Sequence, residues 1–162
     1  MRGRLGVALL GSVVLGVSAA PGQARTDHDG NTPLAEPVAE GDAMPIASGK
    51  LVGLAHESSG DVSIVRTKEG SHVLRFENLK TSNGPDLRVY LVEGSDASND
   101  ELIKAGKFVD LGALKGNVGN QNYTVPEDVQ LERYQSVSIW CRRFSVNFAA
   151  ARLEPIESGK DR

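Results

Sequence analysis

The feature that most constrains the fold is a cadence of short alternating runs, each closed by turn residues, over most of the chain. "SHVLRFENL" places His72, Leu74 and Phe76 on one face, and "DLRVYLVEG" turns Leu87, Val89 and Leu91 the same way. A period of two is the mark of a half-buried strand. Between them lies "TSNGPD", where glycine frees φ and proline fixes its own. "GKLVGLAHE" and "DVSIVRT" form two earlier runs, divided by Ser58-Ser59-Gly60, and "FVDLGAL", "QNYTVP", "SVSIWC" and "FSVNFAAARL" follow. A helical period is nearly absent, apart from one short turn expected around Glu101 to Ala105. Seven or eight short strands with regular turns predict an all-β fold, an antiparallel β sandwich.

The ends flank this domain differently. "MRGRLGVALLGSVVLGVSAAPGQA" runs from two arginines through an apolar stretch to small residues. That is the layout of a secretory signal peptide, with the cut expected after Ala24. No cysteine follows the apolar run, which excludes a bacterial lipid anchor, and Gly3 splits the arginines, which argues against twin-arginine export. The expected destination is the periplasm or the extracellular space, with no membrane span left after cleavage. Residues 25–47 hold Pro33, Pro37 and Pro45 without apolar periodicity and are expected to form a flexible tether. The domain itself is expected over 48–155, with a polar tail over 156–162.

Removing Arg2 and Arg4 with the signal takes the formal net charge from −3 to −5. An acidic exported chain has no electrostatic reason to bind nucleic acid. With 40% apolar residues, about a hundred residues suffice for a real core without staples. Staples are unavailable in any case, because the chain has one cysteine, Cys141. A lone cysteine in an oxidising compartment is an intermolecular bridge, a reactive thiol, a ligand or simply a packed small hydrophobe.

Alternation sets Val137, Ile139 and Cys141 on one face of "SVSIWC" and Ser136, Ser138 and Trp140 on the other. A two-residue loop at Arg142-Arg143 would pair Cys141 with Phe144, Ile139 with Val146 and Val137 with Phe148. The weak point is the turn, because primed two-residue turns favour Gly, Asn or Asp. By phase alone Cys141 belongs to the core. As a redox candidate it sits at a strand end beside two arginines, of which at least one must face away from the sulfur.

Several chemistries are excluded or weakened. A blue-copper site needs histidines and often a methionine near its cysteine, and none follows Cys141. A zinc site would draw on His56, His72, Cys141 and a carboxylate without supporting spacing. His56 and His72 stand as strand or strand-end residues, with a second reading as axial ligand or acid–base neighbour of the thiol. The "DHD" around His28 reads as a solvated tail, and Asp96, Asp100 and Glu101 as a solvated loop. "LKGNVGNQNYTVP" is either a ligand-contacting loop or a set of tight turns. There is no nucleophile elbow and no phosphate-binding glycine loop.

Three blocks in order, "NGPDLRVYL" (83–91), "DLGALKGNVGNQNYTVP" (110–126) and "SVSIWCRRFSVNFAAARL" (136–153), resemble the DM-thirteen domain of Skeletor-type proteins, to which electron transfer is ascribed. The resemblance implies a β-sandwich module that elsewhere accompanies DOMON and cytochrome-b-type domains. It also implies that Cys141, in the position of the family's I-W-C motif, is the redox group, as a bare thiol or as a ligand to a prosthetic group such as haem. No such companion domain is expected beside it in this sequence. Two readings therefore stay open. One is an exported accessory module passing electrons through Cys141 to a redox or envelope partner. The other is a non-enzymatic extracellular or envelope binding module with a buried structural cysteine. A homodimer bridged through Cys141 is a third, weaker expectation.

Overall fold

The computed structural model describes residues 34–37, 43–98 and 100–157. The expected signal peptide, His28 and most of the C-terminal tail lie outside them. In chain order the strands are β1 (Leu34–Ala35), β2 (Met44–Lys50), β3 (Val52–Gly53), β4 (Ser58–Arg66), β5 (His72–Thr81) and β6 (Leu87–Val92). A helical turn α1 (Asp100–Lys104) precedes β7 (Phe108–Ala113), β8 (Val118–Val125), β9 (Ser136–Cys141), β10 (Val146–Arg152) and β11 (Glu154–Pro155). β1, β3 and β11 are two residues long, so the longer strands match the expected count.

These strands form two sheets, one ordered β1-β8-β5-β4-β2-β11 and the other β3-β10-β9-β6-β7. All pairings are antiparallel except that of β1 with β8. The inward faces meet in one core that includes Ile64, Leu74, Phe76, Leu79, Val89, Leu91, Val137 and Ile139. All but Leu79 lie on the phase that alternation marks as apolar, and Leu79 is brought inward by a register shift after Phe76; period two otherwise sets the layers of the sandwich. Among the described residues no helix is long and apolar enough to cross a membrane.

Two local expectations are corrected. Ser58-Ser59-Gly60 does not divide two strands; it lies inside β4, paired with the end of β5. The register shifts between Ser59 and Asp61, where Gly60 alone stands against Asn78 and Leu79, so the extra residue lies on β5; Gly60 takes a φ of +141° that suits few other residues, and β4 runs on through it. The β9–β10 hairpin also takes another register. Cys141 faces Val146, Ile139 faces Ala149 and Val137 faces Ala151. Two arginines are poor occupants of a primed turn, so the chain turns over 142–145 instead, with Ser145 carrying the positive φ of 52°. A second shift between Asn147 and Ala149 then bulges Phe148. Phe144, expected opposite Cys141, is 63% exposed.

Of the segment read as a tether, Leu34–Pro37 and Ala43–Ala47 are described, and both pieces join the first sheet. β1 lies beside β8, and β2 pairs with β4 from Met44 onward. At the other end Ile156 still donates its N–H to the Ile46 carbonyl at 2.9 Å.

Candidate functional site around Cys141

Cys141 is the last residue of a central strand, flanked by Leu87 of β6 and Val146 of β10. Its side chain turns inward with Val137 and Ile139 into the core between the sheets, and it is 0% exposed. The arginines that follow do not dress the sulfur. Arg142 turns to the 82–86 loop, donating its backbone N–H to the Asp86 carbonyl and its Nε–H to Asp86 Oδ2 at 2.8 Å. Arg143 is exposed.

The end of the sandwich above Cys141 is closed by two segments. After β3 the chain continues beside β10, with Leu54 and Ala55 donating to the Phe148 and Asn147 carbonyls. This path lays the His56 ring on that of Phe148, with centroids 4.0 Å apart. From the other side, the loop between β5 and β6 folds in at Gly84. A Cβ there would stand 2.8 Å from Leu87 and 3.0 Å from Phe148. Glycine is what lets the "NGPD" turn lie so close to the core. Outside this rim opens a cleft of about 780 Å³ between 53–59 and 80–82. The Ser58 and Thr81 hydroxyls join its two walls at 2.8 Å.

The three candidate residues do not converge. His56 reaches the Cys141 end of the molecule but is exposed, against Phe148. His72 opens β5, paired with Arg66 and Val125. The Cys141 end lies past Thr81, at the other end of that strand, nine residues or about 30 Å away. Among the described residues no group of three His, Cys, Asp or Glu is placed to hold a metal ion.

The other motifs resolve into structural roles. In "LKGNVGNQNYTVP" the Gln121 side chain is fully buried, its Oε1 accepting from the Lys115 N–H at 3.1 Å and from the Tyr123 hydroxyl at 2.6 Å. Its amide donates to the Gly116 carbonyl at 2.9 Å. Burial raises the pKa of the Tyr123 phenol above its ordinary value, partly offset by the hydrogen bond from the Lys115 N–H. The loop is pinned on itself. Asp96 accepts from the Ser98 N–H at 3.1 Å, and Glu101 pairs with Lys104.

A model of the family described as "Electron transfer DM13" matches residues 50–153. The chain belongs to that family. No curated protein and no solved structure matches it. The DM13 match runs from the end of β2 to just past β10, so it spans both sheets and the Ile139-Trp140-Cys141 motif.

Haem is the cofactor that the resemblance brought into view, and the residues around Cys141 do not fit it. A haem thiolate needs an open face beside an apolar slot. Here the sulfur has no exposed surface, and Leu87, Ile139 and Phe148 of the same core are 6%, 0% and 3% exposed. His56 lies on the outer side of the rim and His72 at the far end of β5, so neither completes an axial pair.

What the sequence alone missed is the rim: Phe148, Gly84 and the 53–56 path. The available signal was the glycine of "NGPD", and it marked a turn without saying what the turn covers.

Proposed function

We propose that this chain is an exported electron-transfer module of the DM13 family whose redox group is Cys141, working as a sheltered thiol. The N-terminal layout supports export, and the family supports the redox assignment. The observation that carries the reading is the position of the sulfur. It ends β9 at the rim end of the sandwich, where Gly84 packs on Leu87 and Phe148 and the His56 ring packs at a tilt on Phe148. Displacing that rim brings the thiolate to a disulfide-bearing envelope partner. Its sulfur attacks one sulfur of the partner, a mixed disulfide forms, and the partner's other sulfur leaves as thiolate, so no outside oxidant is needed.

Burial of the sulfur favours a second reading, a non-enzymatic binding module in which Cys141 only packs. The two separate on the kinetics of thiol labelling of the folded chain. A redox thiol exchanges with glutathione disulfide faster than the protein unfolds, and faster still in His56→Ala, which thins the rim. Labelling that tracks global unfolding in both proteins sinks the redox reading and leaves the packing one. A Soret band in the protein from its exporting host would return haem to the site and overturn the bare-thiol assignment.

A further inference from the structure

Asn83-Gly84 is the one Asn-Gly pair in the sequence, and it lies in the loop that closes the rim over Cys141. Asparagine is chemically labile when the backbone nitrogen that follows it can reach its side-chain carbonyl carbon. Glycine is the most permissive residue in that following position, having no side chain to hinder the approach. The other described asparagines all precede larger residues. Three of them are also tied to distant chain. Asn120 Oδ1 accepts from the Asn78 N–H, Asn122 Nδ2 donates to the Pro37 carbonyl, and Asn147 Nδ2 donates to the Ala97 carbonyl.

Asn83 is exposed, and the Gly84 N–H donates to its Oδ1 at 3.0 Å. That contact closes only when the Gly84 nitrogen lies on the side-chain side of the Asn83 backbone, the disposition that ring closure needs. Holding the two groups together replaces a search by a short rotation. The loop around them has no slack. Thr81, at the end of β5, is fixed by its N–H on the Asn117 carbonyl and by its hydroxyl on Ser58. Only Ser82 and Asn83 separate it from Gly84, whose backbone lies too close to Leu87 and Phe148 to accept even a methyl group. On the far side the Asp86 carbonyl takes the Arg142 N–H at 2.9 Å.

We propose that Asn83 is a deamidation site with the Gly84 nitrogen as its attacking group, and that the isoaspartyl product lifts the loop off the rim over Cys141. Base removes the Gly84 N–H proton, and the nitrogen bonds to Asn83 Cγ. The side-chain nitrogen leaves as ammonia, and a succinimide remains. Water then adds to one of its two carbonyls. Breaking the bond to the side-chain carbonyl restores the ordinary backbone, with an aspartate at position 83. Breaking the bond to the backbone carbonyl routes the main chain through the side chain and lengthens it by one methylene. Gly84 has no room to absorb that length by moving inward, so the loop moves outward and uncovers Leu87 and Phe148. Loss of cover has the same origin whether Cys141 exchanges disulfides or only packs.

The test ages the full chain, kept reduced, in mildly alkaline buffer and maps its peptides by mass. The peptide carrying Asn83 should gain about 1 Da, as ammonia is lost and water added, ahead of every other asparagine in the folded chain. The rate should climb with pH, because the attacking nitrogen must first lose its proton. Asn83→Gln would have to close a larger ring, so it should keep its mass over the same period. Iodoacetamide should then label Cys141 severalfold faster in the isoaspartyl fraction than in fresh protein, through local opening of the rim. Freshly prepared Asn83→Asp carries the new charge without the added methylene and should label as slowly as fresh protein. Another asparagine converting first, or an aged Asn83→Gln that gains the same mass as fast, would overturn the site. An isoaspartyl chain that labels at the fresh rate would overturn the loss of cover. Fast labelling of Asn83→Asp would overturn the lengthening, by assigning the effect to charge.

Discussion

The two faces of β9 are both buried, yet they are built by different means. On the inner face Val137, Ile139 and Cys141 join a mostly apolar core between the sheets, in which the buried Gln121 and the Tyr123 hydroxyl are paired with each other. On the outer face Ser136, Ser138 and Trp140 lie under the chain from Glu93 to Lys107, with Tyr90, Val92, Ala97, Ile103 and Ala150 in a separate cluster. There Ser138 Oγ donates to Asn147 Oδ1 at 2.8 Å, and the Asn147 amide donates to the Ala97 carbonyl at 2.7 Å. Ser136 Oγ donates to the Gly94 carbonyl at 2.9 Å. Tyr90 stacks on Phe108 with centroids 4.1 Å apart. The inner face is held by shape and dehydration. The outer face is a polar network that tolerates burial because its groups are paired.

The largest expected effect comes from Trp140→Ala. If the outer cover is as tight as the inner layer, stability falls by about 3–5 kcal/mol, read from urea unfolding. A loss below about 1 kcal/mol would mean that the cover is loose and the comparison fails. Next is Asn147→Ala, which leaves the Ser138 hydroxyl and the Ala97 carbonyl unpaired and should cost about 1–3 kcal/mol. Combining it with Ser138→Ala should recover part of that cost, since the stranded donor goes too; a purely additive double variant would deny the network. On the inner face the order of substitutions reverses with polarity. Cys141→Ser buries a hydroxyl among apolar side chains and should cost about 1–3 kcal/mol, while Cys141→Ala should cost less. Serine tolerated as well as alanine would place the sulfur in a wetter setting than the core described here.

The smallest effect is one that neither face should show. β9 carries no carboxylate, so mild acid should act elsewhere first. Glu36 is held below the usual carboxylate range by its hydrogen bond from Lys115, against a smaller opposing effect of burial, with help from the Asn122 N–H. A depressed carboxylate contributes stability that is present above its unfolded pKa and lost as pH falls through the folded one. Amide exchange at Asn122, whose N–H Glu36 accepts at 2.8 Å, should therefore speed up on acidification below the ordinary carboxylate range. Amides of β9 should not follow. Synchronous loss of protection in both would show that the β1 edge and the core open as one unit.

Much of the fold was legible in the sequence, because alternation and turn chemistry are written in neighbouring residues. The inward phase of Leu87, Val89 and Leu91, the inward phase of Val137, Ile139 and Cys141, and the short helical turn near 101–105 all rest on such local signals. The β9–β10 register was not legible. It depends on how Arg142-Arg143 resists a tight turn and on where Phe148 bulges, and a pattern of period two survives a shift of two residues unchanged.

The candidate site shows the same division. The sequence by itself determined that Cys141 is the lone cysteine, that it ends a strand on an apolar phase, and that it stands in the I-W-C position of a known domain. Only the tertiary structure decided what covers it and what shares its neighbourhood. His56 comes to its end and His72 does not, Arg142 is drawn off by Asp86, and Gly84 and Phe148 close the rim. Phase along a strand is a property of adjacent residues, whereas cover is supplied by chain distant in sequence. Alternation therefore tells which way a side chain points and leaves open what it meets there.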